Sequence, residues 1–171
     1  MIAMTKKMPS APPPNGNARL EQSELKKHLG YFLARARFIA FRAYEEHVGR
    51  SHDLRPVEFS LMVLLASNGQ ATLTQLSQAL GVAQPNMTGV LRRLEGRGLL
   101  ERARAEQDKR MQFITLSAAG TKLLRQARAA TKDMDEGWLG QLTPAERAML
   151  VELLEKVAFA RPSMPADSPQ A

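Results

Sequence analysis

Residues 76–102 have the sequence LSQALGVAQPNMTGVLRRLEGRGLLER, in which two short helical patterns are separated by a glycine. Gly81 is expected to end the first helix, because glycine adopts the positive φ of a helix C-terminus at little steric cost. A second helix is predicted over Gln84–Gly96, with Leu91 and Leu94 on its apolar face. The stretch therefore predicts two short helices joined by a tight turn.

Most of the remaining chain also has helical patterns with recognisable start signals. Thr72 and Gln75 form a capping box, in which the hydroxyl accepts from a free amide and the glutamine side chain reaches back. Thr143 and Glu146 repeat this pattern, with Pro144 at the first helical position. In chain order, helices are predicted near residues 25–49, 56–67, 73–80, 84–96, 117–138 and 144–160.

Two predicted strands follow the short helices, at residues 99–104 and 111–116. Polar and apolar residues alternate loosely in both, and the charged segment 105–110 joins them, so a two-stranded hairpin is expected. A helix pair followed directly by a basic hairpin is a winged helix-turn-helix by element order. The predicted fold class is mainly α with a small β-wing.

Length and composition restrict the class of protein. The chain has 171 residues, of which 44% are hydrophobic, so one domain with a substantial core is expected. The absence of cysteine excludes disulfides, thiol nucleophiles and thiolate metal sites. No apolar run reaches the roughly 18 residues of a membrane span, and no secretory signal is evident, so a cytoplasmic protein is expected. Residues 1–19 and 162–171 are predicted to be disordered tails.

The basic residues are concentrated in the middle of the chain. The formal net charge is +7, which favours polyanionic partners such as nucleic acid. Residues 92–128 contain ten basic residues against four acidic ones, whereas residues 129–171 contain four against seven. A nucleic-acid-binding face is therefore expected in the middle of the chain.

The second short helix carries side chains suited to this role. Gln84, Asn86 and Thr88 occupy its first turns and are short polar groups able to reach base edges from a major groove. Arg92 and Arg93 lie further along the helix, where their charge suits DNA phosphates. These positions predict that the helix reads double-stranded DNA.

Residues 76–102, together with DKRMQFITLSAAG at 108–120, resemble the MarR family of bacterial regulators, named for multiple antibiotic resistance. The resemblance implies that the helix from Gln84 enters the major groove, that Arg110 in the wing reaches a minor groove, and that Asp108 orients the wing. Two departures are Ala83 and Arg55, which stand where capping Ser or Thr residues are common. They place helix-start stability in question, not the fold.

The resemblance completes the expected assembly. It implies a homodimer through helices 24–49 and 117–161 of a single domain, residues 20–161, around a DNA-binding lobe at 55–116. Two recognition helices about 34 Å apart predict a pseudo-palindromic operator. The hypothesis is a repressor that a small ligand releases from this operator. The predicted DNA-binding residues are Thr72, Thr74, Gln84, Pro85, Asn86, Thr88, Gly89, Arg92, Arg93, Asp108, Lys109 and Arg110.

The family commonly senses small aromatic or phenolic anions, so the resemblance also implies an effector site. The expected lining residues are His28, Phe32, Arg35, Phe59 and Met62. Arg35 would neutralise a carboxylate while the two phenylalanines supply apolar contact. The alternative is that these residues only hold the dimer together.

An enzyme or a metalloprotein is disfavoured by the distribution of histidines. His47 and His52 lie near three acids, but their spacing fits no tight ligand pattern. All three histidines precede Asp53, and no serine lies in a nucleophile motif, so a hydrolytic triad is not expected. The sequence predicts no catalytic residue, no metal and no cofactor.

Plainer explanations of the charges stay open at this point. Arg92, Arg93 and Arg97 fit a solvated helix face, Lys109 fits a solvated loop, and Asp108 with Arg110 fits a local ion pair worth under about 1 kcal/mol. Two other functions also remain: a nonspecific architectural DNA-binding protein, and a protein-interaction module that uses the winged helix. Footprinting and DNA affinity at low salt separate these from a sequence-specific regulator.

Overall fold

A computed structural model describes residues 20–104 and 112–159, which form two units, residues 20–36 and residues 37–159. The first unit contains a 3-10 turn, Leu25–Lys27, and the first half of helix α1, Leu29–Tyr44. Within this unit the Tyr31 hydroxyl donates a hydrogen bond of 2.7 Å to the Gln22 side chain. The division between the units falls inside α1.

The second unit contains the other helices and a small sheet. A π-helical turn, Glu45–Gly49, and the short helix α2, Arg50–His52, continue from α1. The next elements are α3 (Pro56–Asn68), β1 (Gln70–Ala71), α4 (Leu73–Leu80), α5 (Gln84–Gly96), β2 (Leu100–Arg104), β3 (Gln112–Leu116), α6 (Ala118–Leu139) and α7 (Pro144–Ala158). The predicted fold class, mainly α with a small β-wing in a winged helix-turn-helix, is confirmed. None of the described helices is both long and apolar enough to cross a membrane.

Local capping explains where α4 begins and ends. Thr72 Oγ1 accepts from the Gln75 amide at 3.3 Å, and the Gln75 side chain accepts from the Thr72 amide at 2.8 Å. Gly81 then ends α4 with a φ of +62°, in the left-handed region that glycine tolerates best. The predicted capping box and turn are therefore confirmed, and they hold the two short helices close together.

The core lies between α3, α4, α5, the sheet and the start of α6. Met87, Leu91 and Leu94 are fully buried and occupy one face of α5. They belong to a cluster that includes Leu61 of α3 and Ile114 of β3. Burying this face of α5 orients the opposite face away from the core.

Two details differ from the sequence-based expectation. The sheet has three antiparallel strands in the order β1-β3-β2, because Gln70 and Ala71 pair with Thr115 and Ile114. A two-residue strand shows no alternation in sequence and so was missed. The second difference concerns the first predicted helix, 25–49, which is not one continuous α-helix. A 3-10 turn precedes α1, and helical structure continues to His52. Asp53 then turns the chain with a φ of +49°.

Candidate nucleic-acid interface

The predicted DNA-binding residues of α4 and α5 lie close together in the structure. Gln84 Nε2 donates a hydrogen bond of 3.3 Å to Thr74 Oγ1, which joins the start of α5 to α4. Thr88 Oγ1 donates to the Gln84 carbonyl at 3.0 Å, one turn along α5. Asn86 is exposed. The first turns of α5 therefore present polar side chains to solvent.

The exposed face of α5 continues beyond these turns. Pro85, Gly89 and Arg92 are exposed and recur at helical spacing, on the side opposite the buried leucines. Arg92 forms no ion pair with any other residue that the structure describes. Its guanidinium is available to a phosphate.

Arg93, the next residue, has a different environment. Its Nη1 lies 2.5 Å from Glu58 Oε2, and its Nη2 lies 2.6 Å from Asp53 Oδ1. The Glu58 side chain is 0% exposed and that of Arg93 is 28% exposed. The hydrogen bond that Arg93 donates to the Glu58 carboxylate is the main reason that the pKa of Arg93 is raised above its ordinary value. The sequence predicts a phosphate contact for Arg93, which stays a prediction, and the structure places its side chain in an ion-pair network.

Arg97 contributes to the same network one turn later. Its Nη1 donates to the Asp53 carbonyl at 2.5 Å and its Nη2 to the His52 carbonyl at 3.0 Å. We call Arg93, Arg97, Asp53 and Glu58 the arginine clamp. It joins the second half of α5 to the turn between α2 and α3 and to the first turn of α3.

Glu58 also caps α3. Its Oε2 accepts from the Arg55 amide at 2.8 Å, which supplies the hydrogen bond that a capping box needs at a helix start. Arg55 in place of a capping threonine therefore leaves the Arg55 amide satisfied. Glu58 Oε1 is buried and has no hydrogen-bond partner among the described residues.

The wing is attached to α5 by Arg102 of β2. Its Nε forms an ion pair with Glu95 of α5, and its Nη1 donates to Gln112 of β3 at 3.0 Å. Asp108, Lys109 and Arg110, which were predicted to lie at the wing tip, fall outside the described residues.

The comparisons with known proteins agree with this geometry. Residues 54–111 match the model of the MarR family. The transcriptional regulator HosA of Escherichia coli O157:H7 is 30% identical over 118 residues, which cover 67% of this chain and 87% of the relative. The chain belongs to the MarR family. It is accordingly a DNA-binding transcriptional regulator.

Two solved structures are similar to this MarR-family chain over most of their length. The transcriptional repressor CouR, bound to a 23-mer DNA duplex, is 31% identical with a TM-score of 0.76, covering 82% of this chain and 99% of that chain. Bordetella bronchiseptica BpsR, from a study of how 6-hydroxynicotinic acid regulates its DNA binding, is 26% identical with a TM-score of 0.74. The match covers 80% of this chain and 96% of that one.

The residues predicted for a MarR-type effector site are divided between the two units. His28, Phe32 and Arg35 belong to the first unit. Phe59 packs edge-to-face on Tyr44, with ring centroids 6.1 Å apart, and Met62 is fully buried in the core. The site formed by these five residues stays a prediction.

The second unit of this MarR-family protein contains a different cavity of about 500 Å³. It lies between residues 38–47 and the end of α6, and Phe38 and Trp138 provide aromatic surface. Arg42 provides a positive charge and is paired only loosely, at 3.4 Å, with the Glu46 carboxylate. The cavity thus combines aromatic surface with a cation.

Sequence reasoning missed the acidic half of the arginine clamp. Glu58 had one local signal, since it lies three residues after Arg55 and two after a proline at the helix start, as a capping acid does. Its pairing with Arg93, 35 residues away, leaves no local pattern. In the sequence, Asp53 is recognisable only as a neighbour of histidines.

Proposed function

We propose that this MarR-family regulator is a repressor that binds a pseudo-palindromic operator as a homodimer and is released by a small aromatic acid. The observation that carries the proposal is the exposed polar start of α5, a helix that is joined to the wing through Glu95 and Arg102. Short polar groups in a major groove distinguish base pairs, which a nonspecific binding protein does not need to do.

The proposed DNA contacts follow from position along α5. Gln84, Asn86 and Thr88 would read base edges, and Arg92 would bind a phosphate. The roles of Arg110 in a minor groove and Asp108 in orienting the wing rest on the family resemblance alone.

The proposed dimer is supported by apolar surface that a monomer would leave in water. The large exposed hydrophobic residues of α7 are Met149, Leu150, Val151, Leu153, Leu154 and Val157, and those of α1 in the second unit are Phe38, Ile39 and Phe41. Large apolar residues exposed together on one helix mark an interaction site. A second copy of the chain would cover it by a symmetric contact and would place two α5 helices on one duplex.

The proposed effector is a small aromatic acid. An acid of this class, 6-hydroxynicotinic acid, regulates the DNA binding of BpsR. The cavity beside Trp138 supports this ligand class, because it offers aromatic surface and the Arg42 guanidinium for a carboxylate. The residues His28, Phe32, Arg35, Phe59 and Met62 remain the alternative site.

The test is a fluorescence-anisotropy titration of the purified protein with a duplex from its own upstream region and with a scrambled duplex. We expect at least a roughly hundredfold preference for the first at moderate salt. Equal affinity for both would contradict sequence-specific regulation.

A second titration tests the effector. Because Trp138 is the only tryptophan of the chain, its emission reports on ligand in the cavity as 6-hydroxynicotinic acid is added. An unchanged emission with unchanged DNA affinity would contradict this acid as effector.

A further inference from the structure

Two adjacent arginines of the recognition helix α5 have opposite environments. Arg92 is exposed and pairs with none of the described acids, whereas Arg93 contacts two carboxylates at 2.5 and 2.6 Å. A phosphate could bind Arg92 without breaking any described interaction. It could bind Arg93 only in competition with Glu58 and Asp53.

That competition would be unfavourable because Glu58 is completely buried. Among residues 20–104 and 112–159, Arg93 is the only cation that forms an ion pair with it. A buried carboxylate without a counter-charge is strongly destabilising, since the single hydrogen bond from the Arg55 amide does not replace its lost hydration. The Arg93 guanidinium is therefore held where it is.

The arginine clamp lies far enough from the first turn of α5 that a small tilt at the clamp displaces this turn. Arg93 and Arg97 are four residues apart and thus lie on one side of the helix. Gln84 lies nine residues before Arg93, about 13 Å along the axis. A tilt of about 10° at the clamp would displace the first turn by about 2 Å, which is enough to break hydrogen bonds to base edges.

We infer that Arg93 is a positioning residue and not a phosphate ligand: through Glu58 and Asp53 it sets the angle at which α5 enters the DNA groove. The inference rests on the DNA-binding function of the chain. It gives Glu58 and Asp53 an indirect part in operator recognition, although both are negatively charged. Neither carboxylate is assigned a contact with the duplex.

The experiment compares four variants of the full chain: Arg92→Gln, Arg93→Gln, Glu58→Gln and Asp53→Asn. The DNA is a short duplex that the wild-type protein selects from a random pool, together with an unselected duplex. Affinity is measured between about 50 and about 200 mM salt, because each lost phosphate contact reduces the slope of log affinity against log salt by about one. Arg92→Gln is the matched control for Arg93→Gln, since both remove one charge from the same helix.

We expect Arg92→Gln to reduce the slope by about one on both duplexes. Arg93→Gln and Glu58→Gln should instead weaken binding to the selected duplex about tenfold or more, with the slope unchanged. For Glu58→Gln, the direction of the change in DNA affinity distinguishes a positioning residue from a phosphate ligand. If Arg93 were a phosphate ligand, removing its buried competitor would release it and strengthen binding.

Stronger or unchanged binding by Glu58→Gln, or a slope reduced in Arg93→Gln as in Arg92→Gln, would overturn the inference. Should Arg93→Gln fail to fold, Glu58→Gln carries the test. If neither Arg93→Gln nor Glu58→Gln folds, Asp53→Asn carries the test by the same criterion, weaker binding with an unchanged slope. Asparagine also tolerates the positive φ at this exposed position. If the wild type selects no sequence, the proposed operator function fails, and the slopes on the unselected duplex still decide whether Arg93 binds phosphate.

Discussion

Arg93 Nη1 and Glu58 Oε2 lie 2.5 Å apart, although the two residues are separated by 35 positions in the chain. The pair joins the recognition helix α5 to the start of α3, and Glu58 at the same time caps α3 through the Arg55 amide. One buried carboxylate thus serves both helices. Its loss is expected to be felt in folding as well as in DNA binding.

Removing Arg93 should destabilise the fold. Arg93→Gln leaves the buried Glu58 carboxylate without its counter-charge, so the free energy of unfolding should fall by about 3 kcal/mol. Arg92→Gln, one residue away on the exposed face, should change it by less than about 0.5 kcal/mol. Urea unfolding followed by circular dichroism measures both. Equal values for the two variants would contradict the importance of the ion pair.

Alanine should have opposite effects at two helical glycines. At Gly120, near the start of α6, an added Cβ would lie 2.1 Å from the Leu99 carbonyl oxygen, so Gly120→Ala should destabilise the fold by about 3 kcal/mol. At Gly89 in α5 nothing lies within 4 Å, so Gly89→Ala should stabilise it by about 1 kcal/mol through helix propensity. Thermal unfolding of the free protein compares them. A Gly120→Ala variant as stable as the wild type would contradict this close contact with Leu99.

A charge on the apolar face of α7 should disrupt the dimer. Leu153 is a large hydrophobic residue with 50% of its surface exposed, and Leu153→Glu would place a carboxylate in the proposed interface. We expect a monomer in analytical ultracentrifugation and loss of operator binding. Ala148→Glu adds the same charge to the polar face of α7 and should leave the dimer intact. A dimeric Leu153→Glu variant would place the interface elsewhere.

The start of α7 should be sensitive to acid. The Thr143 amide donates a hydrogen bond of 2.8 Å to Glu146 Oε2, and this bond is the main cause that lowers the Glu146 pKa below its ordinary value of 4.5. A carboxyl whose pKa is lower in the folded state stabilises the fold at neutral pH and loses that contribution as pH falls through the folded-state pKa. Wild type should therefore have a higher Tm than Glu146→Gln at about pH 7 and not at about pH 3. A Tm difference that persists in acid would contradict this role.

Local signals were sufficient to predict much of the DNA-binding part of the chain. Thr72 and Gly81 bound α4 through capping and backbone conformation, which depend on only a few neighbouring residues. Leu91 and Leu94 identify the buried face of α5, and so its exposed face follows. The polar surface at Gln84 and Thr88 could thus be predicted from sequence.

The arginine clamp could not be predicted from the sequence, because its contacts join distant segments. A run of arginines looks the same in sequence whether each is solvated or paired, and only the fold brings Glu58 next to Arg93 but not Arg92. The short strand β1 escaped prediction for a similar reason, since its pairing with β3 spans more than forty residues and its own length gives no pattern. The structure also ends α1 at Tyr44 with a π-helical turn that the apolar periodicity gave no reason to expect.

The helix α6 links two regions that are far apart. Its first residues are anchored to the base of the wing, where Ser117 Oγ donates to the Gly98 carbonyl at 2.6 Å and Gly120 lies against Leu99. Its last turns, at Trp138, form one wall of the cavity. A helix of 22 residues spans about 33 Å and behaves as a stiff rod on this scale. We therefore expect a displacement of Trp138 to shift the start of α6 and, with it, the base of the wing.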